Sequence, residues 1–250
     1  WKHFNDVLGG LQRGCLYIIA ARPGDGKTDF ALHLAVQLAK RCRVDYRSLE
    51  MTKEQLVHRV LSRVCMINST RFRDHDLDEN AQKRIGIAAA RMGDLHLVMD
   101  DTPGVSAGDV EAKLASGKPD VMFIDYLGLM RGDAAGNKPL WQITGEITHA
   151  LKESARRHGA AVVALVQLAR AADRQKEPAL SDLKGGSDIE ADADGVIFMR
   201  PQKTGEFLSG DDAWPVEAVI AKNRHGGVGR LRFNWQPQYH NYVPTDNTRR

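Results

Sequence analysis

The sequence predicts an α/β fold: a mainly parallel central sheet, helices on both faces and antiparallel strands at the C-terminal end. Apolar strand-like runs alternate with helical patterns through the first two-thirds of the chain, which argues for parallel strands joined by crossover helices. One such junction, CLYIIAARPGDGKT at Cys15–Thr28, reads as strand, glycine-rich turn and helix start. After it, short strand-like runs follow one another with a glycine turn, Gly226-Gly227, between the last two.

At 250 residues the chain fits one large domain or at most two small ones. Hydrophobic residues make up 42% and charged residues 27%, as in ordinary globular proteins. No apolar run approaches the roughly 20 residues of a membrane-spanning helix, and the polar start WKHFNDVLGG is no signal peptide. The absence of an initial Met predicts a fragment or trimmed chain. Cys15, Cys42 and Cys65 lie far apart, against both a disulfide framework and a zinc site, so a reducing cytoplasm is expected. A net charge of +3 does not by itself argue for nucleic acid. Lys222, Arg224, Arg230 and Arg232 form a basic, glycine-rich segment that charge alone reads as a solvated hairpin.

Residues 1–13 form a lead-in ending at Gly9-Gly10, and Leu16–Ala20 the first buried strand. Phe30, Leu34 and Leu38, with Ala31 and Ala35, make the apolar stripe of the following helix. Val44–Leu49 is the second strand. Thr52 with Gln55 is a capping box, and Met51 with Leu56 a hydrophobic staple, for a helix burying Leu56, Val57, Val60, Leu61 and Val64. A helix over 79–92 is expected to end with Gly93 as its left-handed cap. Leu95–Met99 is the third strand, followed by a helix from Ser106 to about Ser116. Val121–Ile124 is the fourth strand, 131–138 a glycine-bearing loop, and Leu140–His158 a long helix. Ala161–Val166 is the fifth strand, Arg170–Ser187 a polar stretch, and Val196–Met199, Val216–Ala221 and Arg230–Asn234 the last strands. No internal repeat or low-complexity block interrupts the pattern.

The chemistry gathers where strands end, because ligands of such sheets bind beyond the C-terminal strand ends. Ala21, Arg22, Pro23, Gly24, Asp25, Gly26, Lys27 and Thr28 form a phosphate loop whose first position is Ala in place of the usual Gly. Backbone N–H groups of such a loop surround phosphates, with Lys27 reaching the β/γ-phosphates and Thr28 holding Mg²⁺. The bland alternative is a glycine turn without ligand, and the strand-before, helix-after context weighs against it. Asp125 supplies the acidic strand end that a phosphate-loop NTPase needs near Mg²⁺. Glu50 fits either the carboxylate that positions an attacking water or a surface Glu leading into the helix capped by Thr52. Gln167 taken alone reads as a strand-end polar residue; the functional alternative is a γ-phosphate sensor. His75, His96 and His158 lack metal-ligand spacing. Asp100-Asp101 reads as a turn cap, and Trp1, Trp141, Trp214 and Trp235 as core or interface.

Ser48-Leu49-Glu50-Met51, Asp125-Tyr126-Leu127, Gln167-Leu168, Ser181-Asp182-Leu183, Asp192-Ala193-Asp194 and Ala221-Lys222-Asn223-Arg224 occur in this order. With ARPGDGKT, they resemble the C-terminal motor domain of DnaB-type replicative DNA helicases, whose fold is RecA-like. The resemblance runs from about Phe4 to Tyr242. It implies ATP and Mg²⁺ as cofactors, Glu50 as the catalytic glutamate, Arg59 beside the nucleotide and Gln167 as the γ-phosphate sensor. It also implies Lys222 and an Arg224 finger reaching into a neighbouring subunit's site, in a hexameric ring around single-stranded DNA. Arg170, Lys184, Gly185, Gly186 and Ser187 match channel-facing DNA loops, although Gly185 and Ala191 depart from the family pattern and leave the contacts in the 127–141 and 181–190 loops unassigned. Few aromatics lie there, which suits backbone tracking. Primase and loader would engage a separate N-terminal domain that this chain lacks.

The expected organisation is the lead-in 1–13, a motor domain over 14–243 and a tail over 244–250. The expected function is an ATP-dependent DNA helicase motor. The alternative is a RecA-like DNA-binding ATPase, a recombinase or regulatory ring, that separates no strands. A degenerate loader or interaction module fits poorly with intact Lys27, Thr28, Glu50 and Asp125.

Overall fold

The computed structural model describes residues 2–132, 138–168, 178–183, 186–202 and 213–245, with residues 2, 3, 140, 186 and 187 described by their backbone alone. The elements in chain order are α1 (Lys2–Leu8), β1 (Leu16–Ala21), α2 (Lys27–Leu38), β2 (Val44–Ser48), α3 (Lys53–Cys65), α4 (Ser69–Arg73), α5 (Glu79–Gly93), β3 (Leu97–Asp100) and α6 (Ala107–Gly117). They continue as β4 (Val121–Asp125), α7 (Leu140–His158), β5 (Ala161–Gln167), α8 (Gly186–Asp192), β6 (Gly195–Pro201), β7 (Trp214–Asn223), β8 (Gly229–Gln236) and β9 (Asn241–Pro244).

The strands form one sheet in the order β3-β2-β4-β5-β1-β6-β7-β8-β9. Pairing is parallel from β3 to β6 and antiparallel from β6 to β9. Every residue of β1 and β4 is buried, as expected of central parallel strands covered on both faces. The pleat then divides β1 between two cores. Tyr17, Ile19 and Ala21 face Phe30 and Leu34 of α2, while Leu16, Ile18 and Ala20 face Val110 of α6 and Ile147 and Leu151 of α7. A smaller cluster of Leu61, Cys65, Ile67, Phe72, Ala81 and Ala88 joins α3, α4 and α5.

Local signals explain most element boundaries. Thr52 caps α3 reciprocally with Gln55, and Met51 and Leu56 enter the same apolar cluster. Ser106 caps α6 reciprocally with Asp109. The acidic strand end does cap neighbours: Asp100 accepts from the Thr102 N–H at 2.9 Å, and Asp101 from the Lys53 N–H at 2.8 Å.

Some expectations need correction. The lead-in carries a helix, α1, because Phe4 and Leu8 sit one turn apart and both are buried; Phe4 meets Phe30 edge-on at 6.0 Å. Gly93 is the last residue of α5 and Asp94, at φ −82°, caps it, so no left-handed glycine ends that helix. β3 starts at Leu97, since Leu95 N–H closes a turn onto the Met92 carbonyl. α8 occupies the end of the polar stretch, and β9 adds an antiparallel edge strand. No described helix is long and apolar enough to cross a membrane.

Candidate functional site

The site is built by the register of the sheet. β1 and β5 run parallel with Ala21 opposite Gln167, and β2 and β4 with Ser48 opposite Asp125. The ends of four strands therefore deliver the phosphate loop, Gln167, Glu50 and Asp125 to one edge. Beyond Ser48 the chain folds tightly: the Ser48 hydroxyl donates to the Met51 carbonyl at 2.6 Å and accepts from the Met51 N–H at 3.1 Å. That turn holds Glu50 over the loop, exposed at the mouth of a cleft that it lines with Arg22, Gly24, Lys27, Thr28 and Gln167.

Ala21 ends β1 as a buried strand residue rather than as part of the open loop. Gly26 takes φ +79° and precedes α2 without any side-chain cap, so the first N–H groups of the helix are left for an anion. A Cβ there would lie 2.4 Å from Tyr242 Oη and 2.9 Å from Trp235 Cε2, so two aromatics of β8 and β9 leave room only for glycine.

Lys27 and Asp125 are both buried, and their charged atoms stand 3.6 Å apart. Lys27 Nζ and Asp125 Oδ1 have no hydrogen-bond partner among the described residues. Such orphaned buried atoms are costly unless a ligand satisfies them. Burial pushes the Lys27 ammonium below its ordinary pKa, and the Asp125 and Glu50 carboxylates oppose that shift. The other oxygen of Asp125 accepts from the Tyr46 hydroxyl at 2.9 Å. Burial, with Asp125 close by, holds that phenol well above its usual range, so it remains a donor. Asp125 is thus oriented with one oxygen tied to β2 and the other, which lacks a hydrogen bond among the described residues, facing the Lys27 ammonium. With the Thr28 hydroxyl lining the same cleft, these hard oxygen ligands fit Mg²⁺.

Arg59 reaches the cleft from α3 and donates to Asp29 at 2.7 Å. Asp29, Trp235, Pro237 and His240 also line it, and sequence reasoning had assigned none of them to the site. Trp235 is a core residue, as expected of it, and stacks on Tyr242 with ring centroids 5.9 Å apart.

Lys222 and Arg224 do not join this cleft. β7 runs antiparallel to β6 with Asn223 opposite Gly195, and Gly195 lies beside Tyr17 near the start of β1. Both basic residues therefore sit at the opposite edge of the sheet. Lys222 Nζ donates to the Glu190 carbonyl, and Arg224 Nη2 to the Ala191 carbonyl at 2.7 Å. Gly186 and Ser187 begin α8, while Arg170, Lys184 and Gly185 lie outside the described residues.

The sequence model of the DnaB-like helicase C terminal domain matches residues 1–244. The chain belongs to that family. A replicative DNA helicase DnaC of Bacillus subtilis is 34% identical over 245 residues, covering 95% of this chain and 54% of that protein. A replicative DNA helicase DnaB of Geobacillus stearothermophilus is 33% identical over 247 residues, with 95% and 54% covered. The chain thus spans about half the length of the curated relatives it matches. Among solved structures, a DnaB-like replicative helicase described with its interactions with primase superposes with a TM-score of 0.90 at 27% identity, over 98% of this chain and 61% of that one. A second solved structure, described as an ATPase domain, gives a TM-score of 0.89 at 27% identity, over 98% and 89%. The DnaB-like fold accounts for the mixed sheet and for the edge at which the phosphate loop lies.

Proposed function

We propose that this DnaB-like domain is the ATP-hydrolysing motor of a replicative DNA helicase. The observation that carries the proposal is the convergence of Lys27, Thr28, Glu50 and Gln167 on one cleft at the phosphate loop, with Asp125 buried 3.6 Å from Lys27 and a buried polar atom of each lacking a hydrogen bond among the described residues. The loop N–H groups and Lys27 bind the β- and γ-phosphates. Thr28 and Asp125 would hold Mg²⁺, which when bound neutralises phosphate charge. Glu50, exposed at the mouth, positions the attacking water, because phosphoryl transfer asks mainly for placement and electrostatic stabilisation. Gln167 reads the presence of the γ-phosphate from the end of β5.

The cleft measures about 250 Å³, below the roughly 300–1,000 Å³ of self-contained ligand pockets. It suits one side of a nucleotide, the other side coming from the next subunit of a hexameric ring. Lys222 and Arg224 of that subunit complete the site, on the sheet edge remote from their own cleft. Arg170, Lys184, Gly185, Gly186 and Ser187 are the residues assigned to binding single-stranded DNA, and primase engages the assembly outside this domain. The motor domain is taken as 14–243, with 1–13 leading into it and 244–250 as its tail.

Strand displacement tests the proposal. With ATP and a forked duplex, DNA-stimulated hydrolysis accompanied by unwinding is expected. Stimulated hydrolysis without unwinding, in a protein carrying the full helicase chain, would assign the domain to a DNA-binding ATPase ring instead.

A further inference from the structure

The cleft has two walls of different origin. One consists of strand ends and carries Glu50 and Gln167. The other consists of α3, the end of β8 and the connection from β8 to β9, and carries Arg59, Trp235, Pro237 and His240. Asp29, in the first turn of α2, ties this second wall together. Its Oδ1 accepts from Arg59 Nη1 at 2.7 Å. Its Oδ2 accepts from the Trp235 indole N–H at 3.2 Å and lies 3.0 Å from His240 Nδ1.

An acidic residue so close to Lys27 would repel bound phosphates if it were open to them. Here it is only 3% exposed and spent on three partners from three elements. Burial by itself raises its pKa, but the His240 hydrogen bond and the Arg59 charge outweigh burial and hold the carboxyl below the ordinary range. The carboxylate is therefore a fixed anchor. It takes one N–H of a guanidinium that has five, leaving the remaining planar surface of Arg59 on the cleft side. A planar guanidinium stacks on flat rings, so with an imidazole and a proline ring nearby it suits the face of a nucleobase and its ribose.

We infer that Asp29 is a positioning residue for the nucleoside: it fixes Arg59, Trp235 and His240 as the wall against which the base and ribose lie. The inference rests on the nucleotide-site reading above. Asp29 does not touch the reacting phosphates, and its loss acts on nucleoside affinity through Arg59 and His240.

Binding of ADP and of inorganic tripolyphosphate, measured by calorimetry on the wild-type chain and on Asp29→Asn, separates the possibilities. Asp29→Asn should raise the ADP Kd about tenfold, equivalent to about 1.4 kcal/mol, while tripolyphosphate affinity stays within about twofold. In hydrolysis, the KM for ATP should rise with kcat little changed. Should Asp29→Asn fail to fold, Arg59→Lys on the half-buried face of α3 should show the same selective loss. Asp29→Asn combined with Arg59→Ala should cost less than the sum of the two single losses, because both act on the Arg59 contact while Asp29 also holds His240. Equal weakening of both ligands, no weakening of either, or additive losses would overturn the positioning role. A wild-type chain that binds neither ligand would overturn the nucleotide-site reading itself, and the inference with it.

Discussion

The two edges of the parallel sheet treat buried charge in opposite ways. Where β1 ends, Lys27 lines an open cleft and Asp125 lies buried 3.6 Å behind it, each with a buried polar atom that has no hydrogen-bond partner among the described residues. Where β1 begins, Asp194 is buried and satisfied: it accepts from the Leu16 N–H at 2.8 Å and from Lys152 at 2.6 Å, and lies 3.5 Å from Arg224. The first edge holds polar atoms in wait of a ligand; the second uses them to hold the chain together. The basic residues differ likewise. Lys27 is almost wholly enclosed, whereas Arg224 is 48% exposed and reaches outward from backbone carbonyls. One edge is shaped to receive, the other to project. In the ring proposed above, the two edges would face each other across neighbouring copies of one kind of subunit.

This contrast can be broken at either edge. The largest effect is expected from Arg224→Ala: ATP turnover falls by roughly 10³–10⁵, as for loss of an arginine finger, while ADP affinity stays unchanged. A loss of ADP binding in this variant would make Arg224 a nucleotide-binding group rather than a finger that acts on turnover. Glu50→Gln comes next, with a drop of roughly 10²–10⁴ in kcat, the range of a positioned proton acceptor, and no change in melting temperature. Retained turnover would leave Glu50 as the surface residue that spacing alone also allowed.

At the other edge the expected sign of the outcome reverses. Lys152→Met should destabilise the fold by about 3 kcal/mol, near the lower end for breaking a buried pair because Leu16 and Arg224 still face Asp194. Denaturant titration measures the loss, and ADP affinity of the folded fraction should not move. A smaller, pH-dependent effect belongs to His33 on α2, where burial, with Arg63 and Lys40 nearby, depresses the imidazole from 6.5 to about 3. The unfolded chain then binds more protons between these values, so stability is complete above about pH 6.5 and declines as pH falls toward 3. Between pH 7 and pH 5 the His33 contribution is about 2 kcal/mol. His33→Gln should remove that part of the slope of unfolding free energy against pH, and an unchanged slope would mean that His33 is not held neutral.

The edge that receives was far more legible in the sequence than the wall beside it. Strand-end placement follows from short-range pattern, so Lys27, Glu50, Asp125 and Gln167 could be assigned to one edge before any coordinates. Asp29, Trp235 and His240 could not, because hydrogen bonds spanning more than two hundred residues join them and leave no periodic trace. One signal was present: an acidic residue two positions beyond the phosphate-loop lysine, at the start of a helix rich in apolar residues, needs a partner. The helix α1 was obscured by polar neighbours, since among its described side chains only Phe4 and Leu8 are buried, with Val7 packed partly against the same core. That Arg224 lies away from its own cleft was implied only through family resemblance; the antiparallel register of β6 and β7 supplies the physical reason.

The claim that the two edges form one site in adjacent subunits is tested most directly by mixing. Arg224→Ala chains keep an intact cleft, and Lys27→Ala chains keep an intact finger. Co-assembled in equal amounts, they should hydrolyse ATP faster than either variant alone, because some interfaces pair the intact halves. Mixtures no more active than the separate variants, under conditions where mixed assemblies form, would contradict a shared site.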